Sequence, residues 1–175
     1  MGSADRLRYM YCFMYCFPPR YRNAAMPNET EETGRIALAH DGEFAGWGYW
    51  PRDAFETHSG PFFFRTEADG SVRTAFRVAP KHLNGSGAVH GGCFLAFADY
   101  SLFAIAEPAL QGSRGVTVSL GGDFVGPAFE GDLIEGTGEI VKAGKSLVFV
   151  RGTLRRGAEP VFTFSGVIKK IGPRG

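Results

Sequence analysis

With 175 residues, 44% of them hydrophobic and 21% charged, the chain is long enough to bury one sizeable core and has the composition of a soluble globular domain. A formal net charge of +1 excludes an overall field that would draw it to nucleic acid or to an anionic membrane. The three cysteines, Cys12, Cys16 and Cys93, form neither a disulfide framework nor a paired zinc motif, so a cytoplasmic setting with no metal and no cofactor is expected.

The chain opens on MGSADRLRYMYCFMYCFPPRYR, an aromatic run behind early arginines. It lacks the Leu/Ala character and the small-residue cleavage site of a secretory signal, and it is too short to span a bilayer. Residues 1–59 are read as an amino-terminal extension, partly disordered or loosely packed, although Trp47, Tyr49, Trp50 and Phe55 call for something to pack against. Residues 60–175 are read as the folded domain.

In that domain PFFFRTEADGSVRTAFRVAP holds two β-rich runs about Asp69-Gly70, a hairpin turn pair, and Pro80 ends the second run. Residues 92–106, GCFLAFADYSLFAIA, form the one long helix, with Pro108 as its stop. Being apolar almost all round, it must be enclosed by other structure. Four extended runs follow, punctuated by Gly131-Asp132, Ala143-Gly144 and Gly157-Ala158. Their short connections predict antiparallel neighbours. The result is an α+β layer, a curved antiparallel sheet of about six strands against one buried helix.

Two features of the helix point to chemistry. His90, Gly91 and Gly92 stand at its amino terminus, where backbone N–H groups lack intrahelical acceptors and the dipole is positive. Glycine lets a ligand approach those donors, as an oxyanion hole requires. Asp99 sits in the apolar middle with no cation near it in sequence, a placement costly unless its surroundings suit it or it serves a reaction. A bond to backbone or to a hydroxyl such as Thr117 would be a purely structural reason. Asp99 lies seven residues beyond Gly92, on nearly the same face but about 10 Å along the axis. Reacting groups must lie within roughly 3 Å of one another, so a second, antiparallel copy of the helix is expected to bring Asp99 of one subunit to Gly91 of the other. An obligate dimer with two interfacial sites follows.

The segment HLNGSGAVHGGCFLAFADYSLFAIA, followed by GVTVSLGGDFVGPA, resembles the PaaI-like phenylacetyl-CoA thioesterase branch of the hotdog-fold superfamily over roughly residues 60–171. An Asn stands six residues before the His of His-Gly-Gly, an Asp nine after it, and a hydroxyl residue eighteen beyond the Asp. The resemblance implies a hotdog fold, the sheet wrapped about the central helix, and hydrolysis of an acyl- or aryl-acyl-CoA to free acid and coenzyme A without a cofactor. It implies Asp99 as nucleophile or general base, with the Gly91 N–H polarising the thioester carbonyl. His90 and Asn84 would position the thioester from the opposite subunit, and Thr117 would hold the water or the carboxylate. Gly92 belongs to the same substrate-binding turn. Lys142 and Lys145, flanking Gly144, are the preferred partners for the nucleotide phosphates. A homodimer, and beyond it a dimer of dimers, is the expected assembly.

Other constellations carry less. Cys93, three residues from His90, reads as a core residue rather than a nucleophile, and no serine-esterase, P-loop or dinucleotide motif occurs. The phenylalanines Phe62–Phe64, Phe94, Phe97 and Phe103 suit an aryl or medium-chain acyl group, or simply a core. The rival functions are a non-catalytic acyl-CoA-binding module on the same fold and an acyl thioester hydratase.

Overall fold

The apolar segment is a helix, and the sheet is laid around it. The computed structural model describes residues 36–172; Cys12, Cys16 and the aromatic run about them lie outside the described residues. Among the described residues there are two helices, α1 (Ala54–Ser59) and α2 (Gly91–Leu110), and one 3-10 turn at Pro80–His82. Helix α2 buries ten side chains, among them Phe94, Phe97, Tyr100, Leu102 and Ile105. It packs against strands from end to end of the domain, so its all-round apolar surface has partners on most sides.

Pro108 does not stop this helix; it lies inside the last turn. Its ring removes one backbone hydrogen bond, but continuing by one turn buries Leu110 to 3% exposure, a gain of about 2 kcal/mol. The helix ends at Gln111, which takes a left-handed φ of 52°.

The sheet has eight strands, β1 (Ala37–Leu38), β2 (Gly48–Tyr49), β3 (Phe63–Thr66), β4 (Val72–Arg77), β5 (Arg114–Phe124), β6 (Leu133–Ala143), β7 (Leu147–Arg156) and β8 (Glu159–Ile171). Their order is β1-β2-β3-β4-β6-β7-β8-β5, and every pairing is antiparallel. Six of these are the runs expected from sequence, including the β3–β4 hairpin about Gly70, whose φ is 83°. The two further strands are two-residue segments within the stretch read as an extension. The sheet therefore begins well before residue 60, its first strands joined to β3 through Gly48 and Phe64. Trp50 holds that segment down by stacking on Phe64 at 5.0 Å and meeting Tyr100 edge-on at 4.7 Å.

One expected neighbour relation fails. Strands β5 and β6 are consecutive but not paired; β5 lies at the far edge on β8, while β6 pairs with β4. Residues 125–132 make the crossing beneath the start of α2, where the Val89 N–H donates to the Ala128 carbonyl at 2.8 Å. Eight residues span up to about 26 Å, ample for the roughly 14 Å across three strand spacings.

Glycines let the sheet approach the helix closely. A Cβ on Gly166 would stand 2.5 Å from Leu102 Cδ1, and one on Gly138 would stand 2.3 Å from the Arg151 carbonyl oxygen and 2.8 Å from Ile105 Cδ1. Phe62, Phe94 and Phe97 are 2%, 3% and 0% exposed. They are core, and give no sign of an aryl pocket. Gly138→Ala is expected to cost about 2 kcal/mol by overpacking, whereas Gly121→Ala, where nothing lies within 4 Å of the added carbon, stays within about 0.5 kcal/mol of wild type in chemical denaturation.

Candidate active site

The turn into α2 is built by side chains that bond to the backbone. Asn84 Oδ1 accepts from the Ser86 N–H at 2.9 Å, the Ser86 hydroxyl at 2.7 Å and the Ala88 N–H at 3.3 Å, folding the loop as an Asx turn. His90 is the N-cap of α2, and its Nδ1 accepts from the Gly92 N–H at 2.9 Å. A Cβ on Gly92 would lie 3.0 Å from that same Nδ1, so this position favours glycine for the cap's sake. The His90 N–H donates to the His82 carbonyl at 2.8 Å, tying the helix start to the 3-10 turn. His90 and Asn84 thus shape the turn, and the His90 ring remains exposed.

The Gly91 N–H is the first of α2 and has no acceptor within the helix. Phe124, at the end of β5, lies beside the Gly91 α-carbon: a Cβ on Gly91 would come within 3.1 Å of the Phe124 ring. Phe124 is itself 56% exposed. It escaped the sequence reading because only the pairing of β5 with β8 brings it to the helix terminus.

Farther along α2, the Thr117 hydroxyl donates to Asp99 Oδ1 at 2.6 Å. Thr117 stands at a break in the β5–β8 register between Thr117 and Ser119, a bulge of the kind that re-aims side chains beside sites. Burial pushes the Asp99 carboxyl above its ordinary value; the Thr117 bond opposes that rise, and the charge of Asp53 adds to it. The sequence pattern placed both residues, and the fold brings them together.

Glu56, on α1, was not foreseen. Its backbone N–H donates to Asp53 Oδ1 at 2.9 Å, and the Asp53–Glu56 spacing is that of a capping box, which was the available signal. Burial first, then the charges of Asp53 and Asp99, push its carboxyl up to about 8.

A cleft of about 420 Å³ opens at the start of α2, its lining including Phe55, Lys81, Leu83, His90, Gly92 and Ala96, with Cys93 beside them. Gly92, Ala96 and Asp99 follow one another on a single helix face, and the first two line the cleft while Asp99 does not. Burial pushes the Cys93 thiol up to about 11, which leaves it unsuited as a nucleophile. A larger groove of about 690 Å³ crosses the sheet past Asp123, Glu139, Arg151 and Thr163 and contains none of the predicted site residues.

Lys142 and Lys145 do not join Gly91 within one chain. They lie about the β6–β7 turn, while Gly91 lies near the opposite end of the sheet, beside the segment that leads into β6. Eleven residues of β6 separate these ends, about 35 Å of extended strand.

Comparison with known proteins bears on this arrangement. A family model described as Thioesterase superfamily matches residues 86–162, from the loop before His90 into the first residues of β8. A provisionally named esterase of Pseudomonas aeruginosa is 37% identical over 109 residues, covering 62% of this chain and 81% of that protein. Human acyl-coenzyme A thioesterase 13 is 30% identical over 95 residues, 54% of this chain and 68% of that one. Among solved structures, the PaaI protein of the Escherichia coli phenylacetic acid degradation operon superposes with a TM-score of 0.60 at 24% identity, over 69% of this chain and 86% of its own. That likeness establishes a shared hotdog fold, with the sheet wrapped about one central helix. Together with the matched segment, which contains Gly91, Asp99 and Thr117, the similarity places the chain in the Thioesterase superfamily.

Proposed function

We propose that the chain hydrolyses acyl-CoA thioesters to free acid and coenzyme A, at sites shared between two copies, in the manner of the PaaI-like branch. The observation that carries this reading is the Thr117–Asp99 hydrogen bond, which orients a carboxylate inside an otherwise apolar helix. A thioester carbonyl is electrophilic enough for such a group, acting on the carbon directly or through a water it deprotonates; either route needs the ionised form. The Gly91 N–H, at the positive end of α2, is suited to receive the charge that develops on the carbonyl oxygen.

Asp99 and Gly91 of one chain are separated by eight residues of helix, about 12 Å, so one copy does not make a site. Strand β5 supplies the means of assembly. It is eleven residues long, lies at the sheet edge, and leaves Val116 43% and Val118 53% exposed. A bare edge of this kind is a template for pairing with a second copy. Antiparallel pairing of two β5 strands sets the Arg114 end of one beside the Phe124 end of the other, and so brings the Lys142–Lys145 end of one copy to the same side as its partner's helix terminus. Coenzyme A phosphates reaching those lysines would then bridge the copies. A tetramer of two such dimers extends the same reading. The aromatic side chains of the interior being core, the cleft at Phe55, Leu83 and Ala96 is the better candidate for the acyl group.

Asp99→Asn is expected to lower thiol release from a panel of acyl-CoA esters at least about 100-fold while leaving the assembly intact; undiminished turnover would remove Asp99 from the chemistry. Because the Thr117 bond holds the Asp99 carboxyl down against burial, Thr117→Val should move the acid limb of the rate profile to higher pH, a shift read directly from initial rates. Val118→Lys should give a monomer in light scattering and lose activity in parallel, since separated copies cannot join Gly91 to Asp99. Charge reversal at Lys142 and Lys145 should raise KM for CoA esters and leave short thioesters lacking the nucleotide unchanged; equal effects on both would exclude a phosphate contact.

A further inference from the structure

Helix α1 turns one carboxyl group inward. Glu56 stands three residues after its N-cap Asp53, but its Oε2 is buried and has no hydrogen-bond partner among the described residues. On α2 the Tyr100 hydroxyl is likewise buried and unpartnered, on a residue only 1% exposed. Trp50 at 4.7 Å and Phe62 at 5.4 Å hold the Tyr100 ring in place. Two such orphan atoms on facing helices are uncommon in a folded protein and call for a reason.

Among the described residues, the charges that act on this pair are acidic. Asp53 on α1 and Asp99 on α2 act on Glu56, and Glu56 acts on Tyr100. From the 3-10 turn, Lys81 and His82 meet the other end of α1, through the carbonyls of His58 and Ser59. Two carboxylates in one poorly solvated seam cannot both ionise freely near neutrality. The Thr117 bond favours charge on Asp99, and the more strongly raised Glu56 keeps the proton.

We propose that Glu56 is a positioning residue for Asp99: while neutral it adds nothing to the charges of Asp99 and Asp53 at the seam of α1 and α2, and once ionised it sets a further negative charge against the oxyanion forming on the thioester and shuts the reaction down. This rests on the thioesterase reading given above. Glu56 touches no reacting atom and acts only through the field its charge sets beside Asp99.

The test follows thiol release by the full chain from about pH 5.5 to 10, corrected for uncatalysed hydrolysis, in wild type, Glu56→Gln, Tyr100→Phe and Asp99→Asn, with Tm measured over the same range. Wild type should lose about ten-fold in rate per pH unit above the Glu56 value. Glu56→Gln, neutral at every pH, should stay within about three-fold of wild type at pH 7 and lose the alkaline fall; Tyr100→Phe should keep it. In the folded chain the Glu56 value is raised from 4.5 to about 8. The stability it contributes is therefore fully present below the unfolded value and lost as pH rises through the folded one. The Tm of Glu56→Gln should accordingly gain on that of wild type across this window.

An alkaline fall that persists in Glu56→Gln, or a Tm difference that does not change with pH, overturns the proposal. Should Glu56→Gln fail to fold, the carboxyl carbon of Glu56 followed by NMR in wild type decides: titration near the ordinary carboxylate value overturns it, titration well above that value sustains it. An active Asp99→Asn would instead overturn the role of Asp99, and the Tm comparison would still report on Glu56.

Discussion

An apolar helix that carries a carboxylate has to be enclosed without stranding the charge. Helix α2 is greasy on nearly every side, so five long strands close over it, and glycines in the sheet let backbone pass within van der Waals distance of Leu102 and Ile105. Within that enclosure Asp99 receives one short hydrogen bond, from a threonine set at a bulge of the edge strand. The bond is a compromise between two demands. It compensates the carboxylate in part for lost solvation and leaves the group raised above its ordinary value.

The same helix supplies the complementary electrostatics at its other end. The His90 cap and the Asn84 turn consume the donors nearest the loop, which leaves the Gly91 N–H at the positive end of the dipole. One helix therefore carries a carboxylate along its length and a backbone donor without an intrahelical acceptor at its start, separated by about two turns. That separation is the physical ground for the proposal that two copies share a site, with the edge strand β5 as the proposed seam.

Much of this was legible in the chain. The long helix announced itself by an unbroken apolar run, the later strands by their turns, and the link of Thr117 to Asp99 by the resemblance to the PaaI-like branch. Where the reading went astray, a local rule met a tertiary preference. Pro108 ends helices in isolation, but the burial of Leu110 carries α2 past it. The polar, glycine-rich stretch before residue 60 has weak strand signals, but Trp50 stacked on Phe64 and Tyr100 fastens it to the sheet.

The sequence by itself determined which residues are apolar, where the chain must turn, and that one carboxylate sits inside the helix, because these follow from neighbours close along the chain. Only the tertiary structure decided that β5 crosses to the far edge beside β8, that Phe124 lies beside Gly91, that the lysines stand at the opposite end of the sheet, and that Glu56 shares a seam with Asp99. Each of these depends on groups tens of residues apart being pressed together as the sheet closes around α2, and the distances and desolvation that set their chemistry arise only at closure.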